Sequence, residues 1–244
     1  MTFPSNIYHK GHKIPLRVRY NSNAKQIILR VDHKYDGALI TLPPLTSKSD
    51  GLLFVKERAG WLVKQLTALP QKKQLIPGQW LPLLGKKFQI CHRPDLKVGV
   101  QLIETQIIVS GQLEYLERRV FDWLKKYAKE IISPKANEMA SRLGRKINRI
   151  SIRDTKSRWG SCSHHGNLSF CWRLIMTPES VLNYVIAHEV SHLVHMDHSK
   201  EFWSLVKTFD VDPENSRIWL KHNGSTLQRI GYIICYISIL RVKN

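Results

Sequence analysis

His188-Glu189-Val190-Ser191-His192 is the stretch on which the reading of this chain turns. Helical periodicity surrounds it. Val181, Tyr184, Val185, His188, His192 and His195 fall on or near one stripe, and Pro178 reads as a helix start with Thr177 as its cap. Residues i and i+4 of a helix stack on one face, so the two imidazoles can reach one metal ion. Glu189, one position on, lies beside that ion rather than on it, where a base must stand to take a proton from water. Imidazole donors point to zinc, which lowers the pKa of such water to about 7. Apolar Val181, Val185 and Leu193 anchor the helix in a core, which sets the motif apart from two histidines on a surface helix.

A catalytic zinc usually takes three protein ligands. The nearby candidates are His195, His198 and, farther along, His222. His195 continues the same helix, and its side chain should turn toward the next turn, away from the pair. His198 follows Met196-Asp197, where the chain can leave the helix and fold back, so it is the favoured third ligand. The spacing 188, 192, 198 equals that of the metzincin peptidases, but His195 stands where that family has glycine.

Working outward, the first third reads as strands. Residues 16–20 and 26–32 alternate apolar and polar side chains, Asp36-Gly37 marks a turn, and 38–42 resumes before Pro43-Pro44. One helix is expected from Ser47 to Pro70. Strands return at 79–84, 87–91, 98–103 and 106–109. After Gly111 a long helix carries the stripe Leu113, Leu116, Val120, Leu124, Tyr127, Ile131 and Ile132. Ser133-Pro134 should kink or restart it, and Gly144 should cap its end. From Arg149 the period is two, and a hairpin is expected around His164-His165-Gly166-Asn167. Two shorter helices follow the motif, at 200–208 and 213–222. The sum is an α+β chain with a strand-rich region at 1–110, a helical metal-bearing region at 111–227 and an apolar tail at 228–244. No internal repeat is visible in the sequence.

Composition bounds the partners. The 244 residues hold 38 Lys or Arg against 19 Asp or Glu, a formal net charge of +19, which favours anionic partners. Residues 117–158 concentrate it, with 13 basic and 5 acidic side chains, as an anion-binding surface or the wet face of the long helix. Four scattered cysteines, at 91, 162, 171 and 235, suit reduced thiols in a cytoplasmic protein. No secretory signal and no membrane-spanning run is expected.

Arg158-Trp159-Gly160-Ser161-Cys162-Ser163 has two readings. Arg158 could hold a substrate carboxylate or phosphate beside the metal, or the segment could be a hairpin in which Gly160 supplies an unusual backbone angle and Trp159 packs. Tyr184, one turn before His188, could polarise a substrate oxygen or pack in the core.

These segments, with Trp172-Arg173-Leu174-Ile175, Pro178, Tyr184-Val185, the motif itself, Asp197-His198-Ser199 and Phe202-Trp203, resemble the YgjP-like metallopeptidase family, compact zincins similar to the SprT and WLM proteins. The resemblance runs from about residue 7 to 227. It implies a zincin-like metallopeptidase part, zinc ligands at His188, His192 and His198, and peptide hydrolysis with Glu189 as base. Asp197 stands where Asn is more usual. Some members are described as nucleotide pyrophosphohydrolases, so a UTP-like nucleotide is an alternative substrate. SprT-like relatives act on DNA-bound proteins, which makes a nucleic-acid-associated protease or binding module a third reading.

Overall fold

The computed structural model describes residues 3–33, 35–155 and 158–231. The architecture is α+β, with helices and three small sheets. The chain divides into two compact units, residues 1–71 and 72–244, and Gly111 lies inside the second.

In the first unit β1 (Asn6–His9), β2 (His12–Tyr20), β3 (Ile28–Asp32) and β4 (Gly37–Leu42) form a sheet of order β1-β2-β4-β3. Lys10 and Gly11, both at positive φ, close the β1–β2 hairpin. β2 then pairs parallel with β4, and β3 pairs antiparallel with β4. Ile14, Leu16, Ile40 and Leu42 meet Val55 and Leu62 in one core. The single helix expected from Ser47 to Pro70 is two, α1 (Lys48–Glu57) and α2 (Ala59–Thr67). The break has a local cause. The Arg58 guanidinium lies over the Phe54 ring and donates to the Phe54 carbonyl, the acceptor that the Arg58 amide would use in a continuous helix.

The second unit opens with β5 (Trp80–Leu83), β6 (Lys86–His92), β7 (Val100–Ile103) and β8 (Gln106–Val109), in the order β5-β6-β8-β7. Strand senses match those of the first sheet: hairpin, parallel pair, antiparallel pair. Leu84 and Gly85 repeat the positive-φ turn. The topology therefore recurs although the sequence shows no repeat.

A single turn of tighter helix, Leu113–Tyr115, leads into α3 (Leu116–Arg142). Every fourth residue of α3 is buried, from Leu116 through Val120, Leu124, Ala128, Ile132 and Ala136 to Ala140. Leu113, placed on the stripe by sequence, is exposed. The helix runs through Pro134 without restarting, because Ile132 and Ala136 hold both sides of the proline in the core. Gly144, at φ +62°, ends it as expected, with the Arg145 amide donating to the Ala140 carbonyl.

β9 (Arg149–Arg153), β10 (Gly160–Cys162) and β11 (Asn167–Cys171) form the third sheet, β10-β11-β9. β10 and β11 are the expected hairpin, while β9 joins β11 in parallel. A 3-10 segment, Trp172–Met176, leads to α4 (Glu179–Ser191), α5 (Lys200–Lys207) and α6 (Pro213–Leu227). Thr177 does not cap α4. Its hydroxyl donates back to the Leu174 carbonyl, and Pro178 occupies the cap position.

Arg173 is fully buried. Its guanidinium donates to Asp154 and to the Ile230 carbonyl, and Asp154 also accepts from the Trp172 indole N–H. This fixes the chain just past α6. The apolar tail beyond Gly231 lies outside the described residues. Among the described residues no helix is long and apolar enough to cross a membrane.

Candidate metal centre

α4 is apolar nearly all round, and Val181, Leu182, Val185, Ile186, Ala187 and Val190 are buried along it. A helix of that kind is a core element, so what it carries is held rigidly. It presents His188 and Glu189 and ends at His192, its C-cap. His192 Nδ1–H donates to the His195 carbonyl at 2.9 Å. A carbonyl can only accept, so this bond sets the tautomer and leaves Nε2 as a bare donor for a metal. The helix has already ended at His195, which contributes its backbone oxygen rather than its ring.

The chain turns back through Met196-Asp197. The Asp197 carboxylate accepts from the Ser199 amide, and the Ser199 hydroxyl caps α5 by accepting from the Phe202 amide. These bonds bring His198 to face His188. Among the described residues, His188, His192 and His198 form a group whose donor atoms all lie within 4.8 Å of one another. His195 and His222 are not part of it.

His188 Nε2 and His198 Nε2 are 3.2 Å apart. Two nitrogens bound tetrahedrally at 2.0–2.1 Å from one ion stand about 3.4 Å apart. The separation therefore fits two ligands of a single metal. Burial pulls the His188 pKa down to about 4, with the other two histidines and Arg217 adding to it, and burial also lowers that of His192. Neutral imidazole is the form that binds metal.

Phe202, wholly buried on α5, backs all three rings, with centroids 5.0 Å from His188, 4.6 Å from His192 and 4.8 Å from His198. His188 Nδ1 is buried without a hydrogen bond, so packing against Phe202 and the Tyr184 ring holds this imidazole. Sequence reasoning gave Phe202 no role in the site.

Glu189 is only 7% exposed. Burial raises its carboxyl pKa to about 7, against the opposing pull of Arg158. Its carboxylate lies against Gly160 of β10, where an added Cβ would stand 2.5 Å from Glu189 Oε1. Gly160 is not at positive φ. What it supplies is room for the carboxylate, not the unusual backbone angle expected of it. Cys162, two residues along the strand, has its thiol pushed up to about 11 by burial and by Glu189.

A cleft of about 690 Å³ opens on this group, lined by His188, Glu189, Arg158, Trp159 and Tyr184 among others. Arg158 is thus on its wall. Tyr184 packs as considered, with a buried ring edge-on to His188, and it also lines the cleft. The cleft also draws in α6, through Glu214, Arg217 and Lys221, which the sequence did not single out. α6 approaches closely because Gly224 meets the Trp159 ring, 3.2 Å from where a Cβ would lie.

The basic stretch along α3 is in part internally occupied. Lys135 pairs with Glu179, Arg119 donates to the Ser110 carbonyl and Arg142 to that of Thr208.

Comparison with known proteins gives one broad match. The family model described as YgjP-like, metallopeptidase domain matches residues 25–223. No curated protein matches. Among solved structures, the crystal structure of the metallopeptidase zymogen abylysin of Pyrococcus abyssi is 21% identical, covering 41% of this chain and 98% of that one, with a TM-score of 0.35.

Proposed function

Because the chain belongs to the YgjP-like metallopeptidase family, we propose that it is a zinc-dependent peptidase, with the ion held by His188, His192 and His198 and with Glu189 as general base. The observation that carries this is the convergence of three imidazole donors within 4.8 Å, with a buried carboxylate at the next helical position. Bound there, the ion supplies Lewis acidity toward a peptide carbonyl and toward water. Glu189 takes the proton of the attacking water at its carboxylate and returns it to the leaving amine. Its pKa near 7 suits both transfers. Gly160 gives that carboxylate its place. Arg158 and Tyr184 line the cleft where substrate would lie.

Elemental analysis of wild type against His188→Ala tests the ligand set: one equivalent of zinc is expected in the first and almost none in the second. Glu189→Gln should keep its zinc and lose turnover by about 10²–10⁴-fold. A Gln variant with full activity would sink the base assignment.

A second reading places hydrolysis of a UTP-like nucleoside triphosphate at the same centre, favoured by the three cations on the cleft wall. A nucleic-acid-associated protease is a third, favoured by the overall charge of +19. Casein beside a nucleotide panel separates the first two, and steeply salt-dependent DNA binding would support the third. The four scattered cysteines, with no framework spacing in the sequence, support a cytoplasmic setting.

A further inference from the structure

Resting on the peptidase reading, we propose that Arg158, Arg217 and Lys221 form a carboxylate-recognition subsite beside the metal centre. It selects peptides with a negative charge near the scissile bond, carried by an acidic side chain or a free C-terminus.

The three cations come from segments far apart in sequence. Arg217 and Lys221 stand four residues apart on α6 and so share a face. Arg158 lies just before β10. All three line the cleft that His188 and Glu189 also line, and all three are exposed. Among the described residues none is paired with a carboxylate within 4.0 Å, although Glu214 borders the same cleft. All three are therefore available to an anion in the space they line.

Arg217 is also tied to the metal group. Its guanidinium lies 5.7 Å from the Trp203 ring centroid, and that ring is 5.8 Å from both His188 and His198.

The ligand class follows from the mix of groups. Two guanidiniums offer forked donors matched to a carboxylate, and Lys221 adds a point charge. Val185, Ile218 and Leu220 line the same cleft and suit the aliphatic stem of a peptide side chain. The charged side chains on the wall are net cationic and would attract either anion, so the apolar lining of Val185, Ile218 and Leu220 is what favours a peptide carboxylate over a triphosphate.

The test uses the full-length, zinc-loaded Glu189→Gln protein, so that binding is read without cleavage. Fluorescence anisotropy follows four labelled peptides built on one neutral scaffold. The first has an internal glutamate and an amidated end, and the second a free C-terminus only. The third is neutral and amidated, and the fourth carries an internal lysine.

At least one anionic peptide should bind about ten-fold tighter than the neutral one at low salt, with the gap narrowing as salt rises. Whichever anionic peptide does so identifies the source of the carboxylate. Adding Arg217→Ala and Lys221→Ala should close the gap while zinc content and far-UV circular dichroism stay unchanged. Both side chains are exposed, so folding is not at stake. Glu214→Gln should widen the gap.

Equal binding of acidic, neutral and basic peptides overturns the proposal, as does a preference that survives the double variant. So does binding of UTP, lost in the double variant, when no anionic peptide binds. Failure of the peptidase reading looks different. In that case acidic peptides bind through Arg217 and Lys221, yet the wild-type enzyme cleaves no peptide.

Discussion

Gly160 shows how one missing side chain shapes a site. Glu189 has to be buried to hold a proton near neutrality, yet its carboxylate still has to face the cleft. β10 grants that space only because position 160 has no Cβ. In Gly160→Ala the new methyl would lie 2.5 Å from Oε1 and 2.7 Å from Cδ of Glu189. The carboxylate must then move by an ångström or so, and misplacements of that size cost about 10²-fold in rate. The expected result is a large fall in kcat with zinc content unchanged and little loss of stability, read by steady-state kinetics beside thermal melting. Phe202 acts in the same way on the other side of the histidines, as a packed surface that keeps three rings from collapsing onto one another. Neither residue is legible from a ligand motif, since neither has a side chain that can donate or accept a bond.

At the scale of elements, the helices that matter are stiff for different reasons. α4 is buried on nearly every side, so the spacing of His188 and His192 is fixed by the helix and the helix by its core. α3 is the longest element, and it carries a proline in its interior at position 134. That proline removes the amide that would bond to the Glu130 carbonyl, and its ring crowds the preceding turn. The buried stripe from Leu116 to Ala140 outweighs this defect. Pro134→Ala should therefore stabilise the protein, by about 1–3 kcal/mol in urea unfolding, with activity unchanged. A loss of stability would mean that the local shape of the helix at Pro134 is itself required by the packing. The restart that the sequence allowed in α3 at this point does not occur, and the single helix expected over α1–α2 breaks at Arg58, for related reasons. In one case core packing overrode a local breaker. In the other a side chain took the carbonyl its own backbone would have used.

At the scale of the whole molecule, the described residues form two hydrophobic clusters, one in each compact unit, and all three histidines belong to the second unit. Ligands that bind only the folded state stabilise the unit that binds them. Calorimetry of the zinc-loaded protein should show two unfolding transitions, and EDTA should lower one of them while leaving the other in place. A single transition that shifts as a whole would show that the two clusters unfold cooperatively. The cleft makes a related point about scale: β10, α4 and α6 meet around it, and its cations lie some sixty residues apart in the chain.

What the sequence determined by itself was whatever a local spacing can encode. Histidines four apart fall on one helical face, Gly144 ends α3, a hairpin joins β10 to β11, and the α+β class follows from the change of period along the chain. His198 was also within reach, because it stands only six positions after His192. Only the tertiary structure decided which strands pair in parallel, why Gly160 must be bare, and that Arg217 and Lys221 face the metal centre. The reason is physical. Periodicity reports which face of an element is apolar, but not which other element that face meets, and each of these features arises where segments distant in sequence are pressed together by a shared core.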